Sequence, residues 1–161
     1  MRSSVDFDEL FARACIEILG VKTIPTECLP ADREAFQHWE ETGQLPNGWA
    51  DGWLALLRAT IHRPGGVPVR RLVLLPDTDT TYVRFVLAAL ELNAAAGEDV
   101  RVDWAGEQPS HGANAWMLDR RTVVELHADG VTERRLCTAD WFWVAVAETS
   151  PTLATHLARR T

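Results

Sequence analysis

The sequence predicts an α/β (or α+β) fold, a single mixed sheet of about five to six strands with helices packed on it. Three observations predict it. Val67 to Val102 reads as strand, capped helix and second strand in one unit. Further strand-like runs follow that unit, and the flanking segments carry apolar residues at helical spacing.

In chain order, Phe7, Leu10, Phe11 and Ala14 fall three and four apart, as on a first helix. Ala14 to Leu19 suits either a continuation of that helix or a strand. A helix started by Pro30 carries Phe36 and Trp39 and stops near Gly43, where ETGQLPNG makes a loop. A third begins near Asp51, turns Trp53, Leu54, Leu57 and Ile61 toward the core, and is broken by RPGG from Arg63. In the central unit, Val67, Val69, Leu72, Val73, Leu74 and Leu75 form an apolar run of the kind buried on both faces of a sheet. Pro76 to Thr80 supply turn and N-cap oxygens. Tyr82, Phe85, Val86, Ala89, Leu90 and Asn93 then share one helical stripe, Gly97 stands where a glycine ends a helix, and Val100 to Val102 opens the next strand. Strands bridged in this way are parallel, with a right-handed crossover. Asn114 to Leu118 and Thr122 to His127 are two more strands. An Asp129-Gly130 turn into Thr132 to Cys137 sets Glu125 opposite Arg134. A helix capped by Asp140 and a short last helix, PTLATHLARR, follow.

Composition bounds the function. Residues 1–161 read as a single globular domain, with 1–48 as an N-terminal layer, 49–137 as the α/β core and 138–161 as C-terminal helices. Hydrophobic residues make up 47% of the chain, and with a mean hydropathy of −0.11 this excludes both disorder and a membrane span. No signal peptide is visible, because the N-terminus is acidic from Asp6 onward, and a cytoplasmic location is expected. Cys15, Cys28 and Cys137 are odd in number and widely spaced, so they read as buried, inert thiols. A net charge of −7 argues against direct nucleic-acid binding, and the arginine pairs Arg70/Arg71, Arg120/Arg121, Arg134/Arg135 and Arg159/Arg160 read as solvated faces.

Of the lysines and arginines, all but Lys22 are arginine. Val21 precedes that lysine where a phosphate-binding loop needs glycine, and neither an HEXXH helix nor a GxSxG elbow occurs. Ser110 and His111 lie in QPSHG, a polar loop tip, adjacent in sequence rather than set across a site. No metal or cofactor is implied.

One ordered series has a familiar look. Trp53, then RRLVLLP from Arg70, Tyr82 with Arg84, NAAAGEDVR from Asn93 and AWMLDRRTVVELHADG from Ala115 resemble an actinobacterial family of small proteins of unknown function. The resemblance covers Trp49 to Gly130, and AGEDVR with the aromatic-x-x-Asp segment is its most specific part. Ala115-Trp116-Met117 departs from the family's Phe-Trp-Leu-Phe, and PDTDTTY from its Ser-containing turn. The resemblance implies a genomic setting beside helix-turn-helix regulators, and a phospholipase-D-like half-domain layout similar to ligand-sensing domains. It does not extend to phospholipase D chemistry, which needs a His-x-Lys pair: Gly20 stands two residues before Lys22. Phosphodiester hydrolysis is therefore not expected.

Two function classes remain. The first is a non-enzymatic regulatory or interaction module that binds a small polar ligand, or a protein partner or second copy, at the C-terminal ends of the strands. Its ligand mouth would be formed by Asp77, Tyr82, Arg84, Glu98 and Asp119. Its partner surface would lie in Asp140 to Val144, where three aromatics in a row cannot share one helical stripe, so that Trp141 or Trp143 is left exposed. The second is a small biosynthetic tailoring enzyme using Glu98, Asp119 and His127 in acid/base chemistry.

Overall fold

The sheet has six strands in the order β3-β2-β1-β4-β5-β6, formed by β1 (Ile18–Thr23), β2 (Val69–Leu75), β3 (Asp99–Trp104), β4 (Asn114–Leu118), β5 (Thr122–His127) and β6 (Gly130–Arg135). This is a computed structural model, and it describes residues 6–104, 114–127, 130–135 and 150–160. β1, β2 and β3 run parallel, while β4 pairs antiparallel with β1 and continues as an antiparallel meander through β5 and β6. The α/β class and the single mixed sheet are as the sequence predicts.

The helices are α1 (Phe7–Arg13), α2 (Arg33–Thr42), α3 (Asp51–His62), α4 (Thr81–Ala95) and α5 (Leu153–Arg160), with a 3-10 turn over Pro30–Asp32 leading into α2. Their ends follow local chemistry. Asp6 accepts hydrogen bonds from the Asp8 and Glu9 N–H groups at the start of α1, and Thr80 Oγ1 accepts from Val83 N at the start of α4. Gly97 ends the α4 turn at φ 107, a left-handed value suited to glycine. Among the described residues, no helix is long and apolar enough to cross a membrane.

The segment left open between helix and strand resolves into both. α1 stops at Arg13, the chain bends, and β1 begins at Ile18. The cause lies far along the chain: the Asp119 carboxylate accepts from the N–H groups of Cys15, Ile16 and Glu17, at 2.7 to 3.1 Å. Those donors are thereby satisfied outside any helix.

One face of the sheet carries two cores. Val73, Leu75, Val100 and Val102 pack under Tyr82, Phe85, Val86 and Leu90 of α4, with Leu153 of α5 against them. Ile18, Val69, Trp116, Leu118 and Val124 pack under Phe11 of α1 and Leu54 and Leu57 of α3. On the opposite face Leu19, Ala115, Met117 and Val123 form a third buried cluster.

Three expectations are corrected here. In the β5–β6 hairpin His127 pairs with Gly130, so Glu125 faces Thr132 and Arg134 faces Val123; the hairpin turns one residue earlier than Asp129-Gly130, which shifts each partner by two. Cys15 is exposed and Cys28 only half-buried. The Arg70/Arg71 pair is not a solvated face: strand alternation turns Arg71 inward beside Val69 and Val73, and its side chain is only 10% exposed.

Candidate functional site

The proposed mouth is not assembled. Asp77 lies exposed in the turn after β2, and Tyr82 and Arg84 stand on the first turns of α4, at the C-terminal end of β2. Glu98 precedes β3 and Asp119 follows the antiparallel β4, so both sit at the opposite end of the sheet. The six-residue advance along β2 separates the two groups by about 20 Å. The turns after β2 and before β3 cannot border one crevice because a parallel crossover carries the chain back down the sheet before β3 begins.

Four of the five are also engaged locally, Asp77 being the exception. The Tyr82 hydroxyl donates to Asp32 Oδ2 at 2.6 Å; burial and then this bond push its phenol up from the ordinary value. Arg84 pairs with Asp79 at 3.1 Å, and Asp79 also receives Arg160 of α5 at 2.7 Å. Glu98, with its side chain fully buried, receives Nε and Nη2 of Arg71 at 2.7 and 2.8 Å. Partial burial would raise the Asp119 carboxyl, but the N–H groups of Cys15, Ile16 and Glu17, helped by Arg121, outweigh it and hold the group below its usual range. Glu98 and Asp119 thus act as fixed anions in structural bonds. His127 ends β5 opposite Gly130, a strand away from β4 and its Asp119. Trp141 and Trp143 lie outside the described residues, as do Ser110 and His111.

What the fold builds instead is a cleft of about 410 Å³ on the helical face of the sheet, between its two cores. Lys22, Arg71, Asn114 and Trp116, from β1, β2 and β4, make the floor. Phe85, Ala89 and Asn93 of α4 form one wall; Trp49, Trp53 and Phe7 form the other, with Asp32 also at its border. The volume is in the range of small-molecule sites.

Local sequence explains the floor. Gly20 faces Trp116 across the β1–β4 ladder, and a Cβ there would meet the indole at 2.7 to 3.0 Å. A side chain at position 20 would therefore displace the ring. With glycine the indole lies against β1, and the Arg71 guanidinium carbon sits 5.0 Å from its centroid and 5.3 Å from that of Trp53. Glu98 and the two indoles therefore hold the Arg71 plane, while its Nη1 has no protein acceptor among the described residues.

Lys22 pairs laterally with Asn114, and its ammonium makes no hydrogen bond or ion pair among the described residues. Burial, then the nearby Arg71, push its amine below the ordinary value, and Asp32 pulls weakly the other way. The amides of Asn93 and Asn114 are also uncommitted among the described residues. Buried and half-buried polar groups that lack partners among the described residues, set beside indole faces, are suited to recognition. Among the described residues, no three His, Cys, Asp or Glu side chains gather as metal ligands.

Sequence reasoning missed Lys22, Arg71, Asn114 and Trp49. Alternation along β2 puts Arg71 on the face of Val69, Val73 and Leu75, a signal that was legible. No comparable signal marks Lys22 or Asn114. A family model described as a domain of unknown function, DUF6879, matches residues 6–158. No curated protein matches the chain.

Proposed function

We propose, for a chain that belongs to this family of domains of unknown function, a non-enzymatic module that binds a small polar ligand in the cleft between α3 and α4. The observation that carries the reading is the cleft floor, where Lys22, Arg71 Nη1 and Asn114 present donors uncommitted among the described residues, beside the Trp53 and Trp116 rings. Folding alone gains little from a half-buried ammonium without a partner, because desolvation opposes it. A ligand that supplies the partner makes use of it.

The ligand reports to a partner in this reading. The likeness to actinobacterial proteins encoded beside helix-turn-helix regulators, and to phospholipase-D-like sensor domains, suggests a cytoplasmic regulator or a second copy of the chain, with Trp141 and Trp143 in the interface. The tailoring-enzyme alternative draws less support, because Glu98 and Asp119 are committed to Arg71 and to backbone N–H groups.

Trp49, Trp53 and Trp116 border the cleft, so their fluorescence reports its occupancy. Titration of the purified chain with a metabolite library should find compounds that quench this emission and raise the melting temperature together. A broad library producing neither effect refutes the reading.

A further inference from the structure

Resting on the ligand-binding reading above, we infer that the cleft takes a flat carboxylate, its anion held by the Lys22 ammonium and Nη1 of Arg71 and its body lying against the indoles. The donor set selects the charge. Arg71 is neutralised by Glu98 through Nε and Nη2 at 2.7 and 2.8 Å, which leaves Nη1 as a fixed donor. Lys22, on the strand beside Arg71, is a second and flexible donor with no anion in bonding range among the described residues. An acid placed between them completes two charge-assisted bonds that the described residues leave open.

The rest of the lining restricts the acid further. Asp32, held by the Tyr82 hydroxyl at 2.6 Å, also borders the cleft and opposes a second negative charge, so a monoanion fits better than a phosphate dianion. Trp53, Trp49 and Phe85 offer flat apolar surfaces to a ring. The Asn93 and Asn114 amides present both donors and acceptors, and suit a polar substituent on that ring.

The test uses the full chain with 1-naphthoate, its neutral isostere 1-naphthamide, and inorganic phosphate, read by calorimetric titration and tryptophan quenching. 1-Naphthoate should bind at least about tenfold more tightly than 1-naphthamide, Lys22→Met should remove that preference, Lys22→Arg should retain most of it, and phosphate should not compete. Equal or tighter binding of the amide, or a carboxylate preference that survives in Lys22→Met, overturns the charge assignment and leaves the cleft reading standing. Competition by phosphate at concentrations similar to naphthoate overturns the choice of carboxylate. If neither aromatic probe quenches the tryptophans or changes stability, the inference fails, and the metabolite library then decides the cleft reading separately.

Discussion

Removing Glu98 probes the contact that organises the cleft floor. Its carboxylate is fully buried and accepts two charge-assisted bonds, while Arg71 keeps only 10% of its side chain exposed. Glu98→Ala abolishes both bonds and strands a guanidinium in a poorly solvated position, a change that typically costs about 3–5 kcal/mol. The Trp53 and Trp116 faces still attract the cation, and contacts of that kind are worth about 0.5–2 kcal/mol. The expected loss is therefore at the lower end, about 3 kcal/mol, which for a chain of 161 residues lowers the melting temperature by roughly 6–12 °C. Replacing both partners, as Arg71→Met with Glu98→Leu, removes the stranded charge and should recover about 2 kcal/mol of the single-variant loss. Urea and thermal unfolding at pH 7, followed by circular dichroism and checked for equal m-values, give both quantities. A fall below about 2 °C in Glu98→Ala, or a double variant as unstable as the two single losses added together, would refute the account of Arg71 as a buried cation held by one partner.

Three further changes test the neighbouring features. Gly20→Ala sets a methyl 2.7 Å from the Trp116 ring; the ring must move, at a cost of about 1–3 kcal/mol, and the variant should show shifted tryptophan emission and weaker ligand binding, whereas unchanged emission would contradict the packing. Lys22→Met removes an ammonium that burial disfavours and should stabilise the free protein by about 1 kcal/mol. Because the folded value is lowered, the cost of Lys22 is present below the unfolded value near 10.4 and fades as pH rises through the interval between the two; the variant's advantage should therefore shrink in alkaline melts. Asp119→Asn keeps a residue tolerant of φ 54 but removes the charge; the loss should be about 1 kcal/mol at pH 7. With its folded value held down, Asp119 contributes stability above the unfolded value near 3.9 that disappears as pH falls through the folded one. The difference between variant and parent should close in acid, and a constant offset would exclude the carboxylate as its source.

The legible part of this protein is the part in which neighbours in sequence are neighbours in space. Val67 to Val102 carried its own periodicity, its Thr80 cap and its Gly97 stop, so β2, α4 and β3 could be placed from local chemistry. Ala14 to Leu19 could not, because the group that ends α1 and frees the chain to become β1 is Asp119, on the far side of the sequence. The candidate site was obscured for the same reason. Lys22 and Asn114 are ordinary residues until the β1–β4 ladder sets them side by side, and Gly20 has no evident purpose until Trp116 lies against it. Glu98 and Asp119 have the more recognisable chemistry, yet both commit their charge inside the fold.

The position of β1 at the centre of the sheet also bears on how the protein comes into being. Ile18 pairs with Leu118, and closing so large a loop carries an entropic cost before any contact rewards it. On a growing chain, β1 emerges before β4 and waits for it, while β2, α4 and β3 meet their partners at shorter range. The cleft needs β1, β2 and β4 together, so it cannot form before this long-range pairing is made. A fluorescent ligand of the cleft should consequently light up only after the β1–β4 pairing is complete, with a lag behind the helical signal in refolding from urea.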